Sequence, residues 1–167
     1  MMKHRFFATT MAIGMFLVFL GCAGTAGGGS GAGNPKDAAA YAKPGFYTQL
    51  DDGRLWVFRE GSKELEDYRT KGKPAKHTVR PGAGPGGITL RGPDSDTLAL
   101  YIATKPGFYV ALDDGRLWVF EEGSKELEDY RTKGKPAKHT VRPGAGPGGL
   151  TLRGPDGETL DKYMSAK

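Results

Sequence analysis

From Lys43 to Leu98 the chain spells a text that it spells again, 62 residues later, from Lys105 to Leu160. The copies run without a gap. They differ only at Thr48/Val110, Gln49/Ala111, Arg59/Glu121, Ile88/Leu150, Ser95/Gly157 and Asp96/Glu158. Whatever one copy folds into, the other must fold into as well, so the repeat constrains the architecture more than any motif does. It also poses a stability problem. A domain of about 60 residues is marginal alone, because it buries too small a fraction of its surface.

A fainter repeat lies inside each unit. Gly115–Tyr130 can be laid over Gly148–Tyr163 so that a glycine, the strand leucines, a helix leucine and the last tyrosine coincide. Each half then reads strand, turn, strand, helix. Phe46–Leu50 and Leu55–Phe58 are rich in β-formers and are joined by Asp-Asp-Gly, a hairpin signal. Ser62 is placed to cap a helix that Gly72 and Pro74 end. Thr78–Arg80 and Ile88–Arg91 flank a Gly/Pro loop, and Asp94 caps a short helix carrying Leu98 and Tyr101. The expected fold is therefore α+β: two tandem repeats, 41–104 and 105–167, each ββαββα. A four-stranded antiparallel sheet carrying both helices on one face is the expected arrangement.

Alternation along the strands predicts which face each residue takes. Phe46, Leu50, Leu55, Val57, Val79, Ile88 and Leu90 are assigned to the face under Leu65, Tyr68 and Leu98. Tyr47, Gln49, Trp56, Phe58, Thr78, Arg80, Thr89 and Arg91 then share the other face. Tyr109, Trp118, Phe120, Arg142 and Arg153 repeat it in the second copy. With no helix over it, this aromatic and arginine surface is expected to be a contact face. Either the two copies press these faces together, or the faces bind a ligand such as an envelope polysaccharide or a protein partner.

The first residues point to a compartment. Lys3 and Arg5 precede an apolar run, Met11–Leu20, which ends in small residues and the only cysteine, Cys22. The segment resembles a bacterial lipoprotein signal peptide with Phe19–Cys22 as its lipobox, Phe19 standing where that motif usually has leucine. The resemblance implies removal of residues 1–21, a diacylglycerol on the Cys22 thiol and acylation of its new amine. With Ala23 after the cysteine it implies an outer-membrane protein facing the periplasm. An uncleaved span is disfavoured by Thr9, Thr10 and Gly14. A plain signal peptide would leave Cys22 as a lone thiol in an exported chain. Residues 22–40 are dominated by Gly, Ala and Ser and read as a flexible tether.

Chemistry-bearing motifs have simpler structural explanations. Gly82–Gly87 and Gly144–Gly149 fit G-x-G-x-x-G, but a strand follows where a dinucleotide site needs a helix. Asp51-Asp52 and Asp113-Asp114 are what a tight turn before glycine needs, and Asp94 with Asp96 belongs to a helix start, so no metal is expected. His77 and His139 precede a strand with no nucleophile recurring nearby in sequence. Charge is close to balanced, 24 Lys and Arg against 19 Asp and Glu, with Lys3 and Arg5 in the leader, which gives no reason to expect nucleic acid as a partner. The reading is a non-enzymatic, cofactor-free envelope lipoprotein with a binding or structural role. A periplasmic enzyme using His77 and His139 is the remaining alternative.

Overall fold

A computed structural model describes residues 39–167. The leader, Cys22 and all but the last two residues of the expected tether lie outside the described residues. Both repeats belong to one compact unit.

The first repeat runs β1 (Phe46–Asp51), β2 (Arg54–Arg59), α1 (Lys63–Lys71), β3 (Thr78–Arg80), β4 (Thr89–Gly92) and α2 (Ser95–Ala103). In the second, β5 (Phe108–Asp113), β6 (Arg116–Glu121), α3 (Lys125–Lys133), β7 (Thr140–Arg142), β8 (Thr151–Gly154) and α4 (Gly157–Ser165) follow the same course. This is the α+β, ββαββα organisation written twice. Local chemistry sets the boundaries. Asp52 and Gly53 both have positive φ, 48° and 67°, the two-residue hairpin turn in which Asp-Gly is favoured. The Ser62 hydroxyl accepts from the Leu65 N–H at 3.2 Å, and the Asp94 carboxylate accepts from the Thr97 N–H at 2.7 Å, capping α1 and α2.

Two expected details are corrected. The strand order is β1-β2-β4-β3, and β5-β6-β8-β7 in the second repeat, with β2 and β4 parallel. The sheets are therefore mixed, antiparallel only within each hairpin. The helices do not share a face either. Leu65 and Tyr68 of α1 pack with Trp56 and Phe58, whereas Leu98 and Tyr101 of α2 pack with Leu55, Val57 and Leu90 on the opposite side. Parallel central strands and opposite helices are what two like ββα halves give when a half-turn about an axis along those strands relates them. Gly92 lets α2 come close: a Cβ there would lie 2.7 Å from Leu98 Cδ2.

β3 corrects a third assignment. Val79 pairs with Arg91 and Arg80 with Leu90, so Val79 lies on the tryptophan face, 44% exposed, and Arg80 on the α2 face with Thr78. A one-residue slip in a strand moves every side chain to the other face. In a three-residue strand, pairing with β4 and not hydrophobicity sets the register.

Candidate functional site

The aromatic face is closed by its own repeat. Trp56 and Trp118 are each 1% exposed, and Phe58 and Phe120 are fully buried. Trp56 stacks on Phe58 with centroids 6.0 Å apart, and Tyr68 of α1 meets both rings, at 5.7 and 4.6 Å. His77 covers another part of Trp56 at 5.0 Å, and the Arg91 guanidinium lies 5.6 Å from the same ring. The second repeat reproduces the set with Tyr130, His139 and Arg153 around Trp118. The face is thus neither an open ligand platform nor the contact between repeats, because α1 and α3 cover it. Tyr47 and Tyr109 sit at its margin, each ring carrying an arginine, Arg69 at 5.0 Å and Arg131 at 4.9 Å.

A charged rim borders each cluster. Asp51 is buried at the end of β1 and meets the Lys73 ammonium at 2.7 Å. That hydrogen bond is the main reason its carboxyl lies below the ordinary 3.8. Burial opposes it, and the Lys73 charge, the Trp56 indole and Arg91 assist. Asp113 and Lys135 repeat the pair at 2.6 Å, with the carboxylate more open. Gln49 distinguishes the copies. Its Oε1 accepts from the Tyr47 hydroxyl at 2.9 Å and the Tyr68 hydroxyl at 3.1 Å, whereas Ala111 has no acceptor to offer Tyr109 and Tyr130.

His77 Nδ1 lies 3.3 Å from the Pro74 carbonyl oxygen, and His139 stands likewise to Pro136. Each ring is thus held between a backbone oxygen and a tryptophan. Arg80 and Arg142 lie away from the tryptophans. Arg80 reaches the Ser95 carbonyl at 3.4 Å and borders Gly148 of the second repeat, while Arg142 pairs with Asp161 at 2.7 Å. Among the described residues, no group of three or more His, Cys, Asp or Glu side chains could hold a metal ion, and no helix is long and apolar enough to cross a membrane.

The contact between repeats lies elsewhere, along α2. Its inner side packs on the first sheet. Leu100 and Ala103 on its outer side join Leu117, Val119, Leu152, Leu160 and Tyr163 of the second repeat. β5 and the Pro147–Gly149 turn lie against the same helix. The Tyr163 hydroxyl donates to the Ala103 carbonyl at 2.7 Å, across the junction. One repeat earlier, Tyr101 donates to Tyr41 in the same way at 2.8 Å. Lys43 closes the first repeat on itself, its ammonium donating to the Tyr101 and Thr104 carbonyls at 2.8 Å each. Lys105 does the same for Tyr163 and Ala166. Burial, with the charge of Lys105, pushes the Lys43 amine below its ordinary value.

Beside this contact runs a groove of about 490 Å³, walled by Phe46, Leu100, Pro106, Phe108 and Val110, with Lys105 and Glu122 also lining it. Of the residues expected to form the contact face, only Tyr109 lines it. One sequence signal could have found the junction. The copies part company after Leu98 and Leu160, where Ala99-Leu100 stands against Asp161-Lys162. Comparison with family models, with curated proteins and with solved structures found no match for this chain.

Proposed function

We propose that this protein is a lipid-anchored envelope lipoprotein, held through Cys22 on the outer membrane and facing the periplasm, whose tandem repeats bind or brace an envelope component without catalysis. The observation that carries the reading is the leader: Lys3 and Arg5, the apolar Met11–Leu20, then Phe19-Leu-Gly-Cys22 and a Gly-rich stretch. Acyl chains contribute roughly 0.8 kcal/mol for each buried CH₂, so two or more hold a protein stably at a bilayer.

The repeats support the non-catalytic part. Their histidines face tryptophan and a backbone carbonyl, and their buried carboxylate is engaged by a lysine. These contacts suit cohesion. The junction groove, mostly apolar with Lys105 and Glu122 among its lining, offers a surface for an envelope protein or polysaccharide.

Labelling with radioactive palmitate in a bacterial host tests the reading. The native chain should take up label and co-sediment with outer membranes. Cys22→Ala should take up none and leave the membrane fraction or retain its leader. An unlabelled native chain, or a Cys22→Ala chain with unchanged processing and fractionation, overturns it.

A further inference from the structure

α2 and α4 occupy equivalent places in their repeats, yet face different surroundings. Leu98 and Tyr101, like Leu160 and Tyr163, are 0–1% exposed against their own sheets. The outer sides differ. Ala99, Leu100 and Ala103 of α2 are buried, at 5, 8 and 0% exposure, and Leu100 and Ala103 join the core of the second repeat. The same positions in α4 are Asp161, Lys162 and Ser165, all exposed. These differences fall just where the near-identity of the repeats ends.

The receiving surface is not restricted to the second repeat. Phe108, Val110 and Leu112 of β5, with the Pro147–Gly149 turn, receive α2. The first repeat has Phe46, Thr48 and Leu50 on β1 and the same Pro-Gly-Gly turn, with Phe46 also lining the junction groove. Tyr41 lies against this repeat's core where Ala103 lies against the second, so an incoming helix takes the place of the Tyr41 segment. Only Thr48 for Val110 and Ile88 for Leu150 separate the two surfaces. The contact is head-to-tail: the outer side of one repeat's last helix meets the first strand of the next. Such contacts do not pair off two by two, so a free adhesive end would keep adding copies until a ring closes, or without limit where none does. Terminal units of repeat arrays avoid this by presenting a polar outer face.

We infer that positions 99, 100 and 103, with their counterparts 161, 162 and 165, form a docking code: apolar residues make a repeat's last helix an adhesive for another repeat of this fold, and polar ones close the series. The partner the adhesive surface fits is a second copy of the same repeat. Lys162 and Asp161 reinforce the closed state, tied at 3.0 Å to Glu121 and at 2.7 Å to Arg142 respectively.

The test uses the full chain in detergent. Asp161→Ala/Lys162→Leu/Ser165→Ala changes exposed positions only, which rarely moves stability much. Sedimentation and cross-linking should show its mass rising about twofold or more with concentration, as head-to-tail contacts add copies. Adding Thr48→Glu, on the first repeat's receiving strand, should return the mass to that of the unaltered chain. A triple variant that behaves like the unaltered chain overturns the inference. So does association that survives Thr48→Glu, since it would be indiscriminate sticking. The reciprocal change, Ala99→Asp/Leu100→Lys/Ala103→Ser, should split one cooperative unfolding transition into two. A single unshifted transition counts against the code, and if that variant does not fold, the α4 variant decides alone.

Discussion

α2 and α4 descend from one text and do one job on their own sheets, but among the described residues only α2 has a neighbour on its other side. Its sequence from the cap is Ser-Asp-Thr-Leu-Ala-Leu-Tyr-Ile-Ala, and that of α4 is Gly-Glu-Thr-Leu-Asp-Lys-Tyr-Met-Ser. The leucine and tyrosine against the sheet are kept in both. Ala99, Leu100 and Ala103 are buried where Asp161, Lys162 and Ser165 are exposed, and Leu100 and Ala103 join the second repeat's core. A repeat of this size leaves a large share of its surface unburied. The first repeat relieves that shortage by lending its last helix to the core of the second.

At their tryptophans the two repeats should behave alike. Trp56→Ala and Trp118→Ala each remove a buried indole from an equivalent cluster, and each should cost about 3–5 kcal/mol in chemical denaturation. Nearly equal losses are expected, because each repeat's own helix covers its tryptophan. A loss at one site far exceeding the other would show that the clusters are not equivalent.

Next comes the position where they should differ most. Leu100→Ala takes a side chain out of the shared core and should cost about 2–5 kcal/mol. Lys162→Ala, at the matching position of α4, is half-exposed and should stay within about 0.5 kcal/mol. Similar costs at the two positions would break the contrast between a docked helix and a terminal one.

Part of this could be read from residues alone. The hairpin turns at Asp52-Gly53 and Asp114-Gly115, and the caps at Ser62, Asp94 and their twins, are local chemistry and fall where the text puts them. Helix placement is not local. Successive strand side chains take opposite faces, but Leu55-Trp-Val-Phe58 is apolar at every position. Such a run belongs to a strand covered on both faces, and it argues against one bare face. Val79 and Arg80 misled for a different reason: pairing with β4 decides which of them points to which side. The junction was legible only as a difference, the switch from Ala99-Leu100 to Asp161-Lys162 beyond the end of the near-identical text.

Acid should separate the two buried-edge carboxylates. Asp51 titrates below 3.8 in the folded protein, chiefly through the Lys73 hydrogen bond. Its contribution is therefore complete above the unfolded value and is lost as pH falls through the lower folded one. Asp51→Asn should weaken the protein at neutral pH and flatten the fall in melting temperature below about pH 4. Asp113→Asn should do the same to a smaller degree, since the Asp113 side chain is 29% exposed against 9% for Asp51. An acid limb unaltered in both variants would mean that neither lysine pair contributes.

A modest effect is expected at Gln49 and Ala111, a difference between the copies at the edge of the aromatic cluster. In the first repeat one amide oxygen serves two tyrosine hydroxyls, and burial, helped by the charges of Tyr47 and Asp51, pushes the Tyr68 hydroxyl up to about 12. In the second repeat, Tyr130 is shifted the same way by burial first, without that amide beside it. Net worth per hydrogen bond is about 0.5–1.5 kcal/mol, and truncating an acceptor leaves its donors to find water. Gln49→Ala should thus cost about 1 kcal/mol, because the half-buried Tyr47 hydroxyl regains solvent while Tyr68 is buried beside it. Ala111→Gln should recover a similar amount in the second repeat if its tyrosines close on the new amide as Tyr47 and Tyr68 do on Gln49. Paired denaturation curves for the two variants measure both. Opposite and comparable shifts would show that the repeats still share one packing plan at their aromatic margins. A stable Gln49→Ala with an unimproved Ala111→Gln would place their divergence deeper than the junction helix.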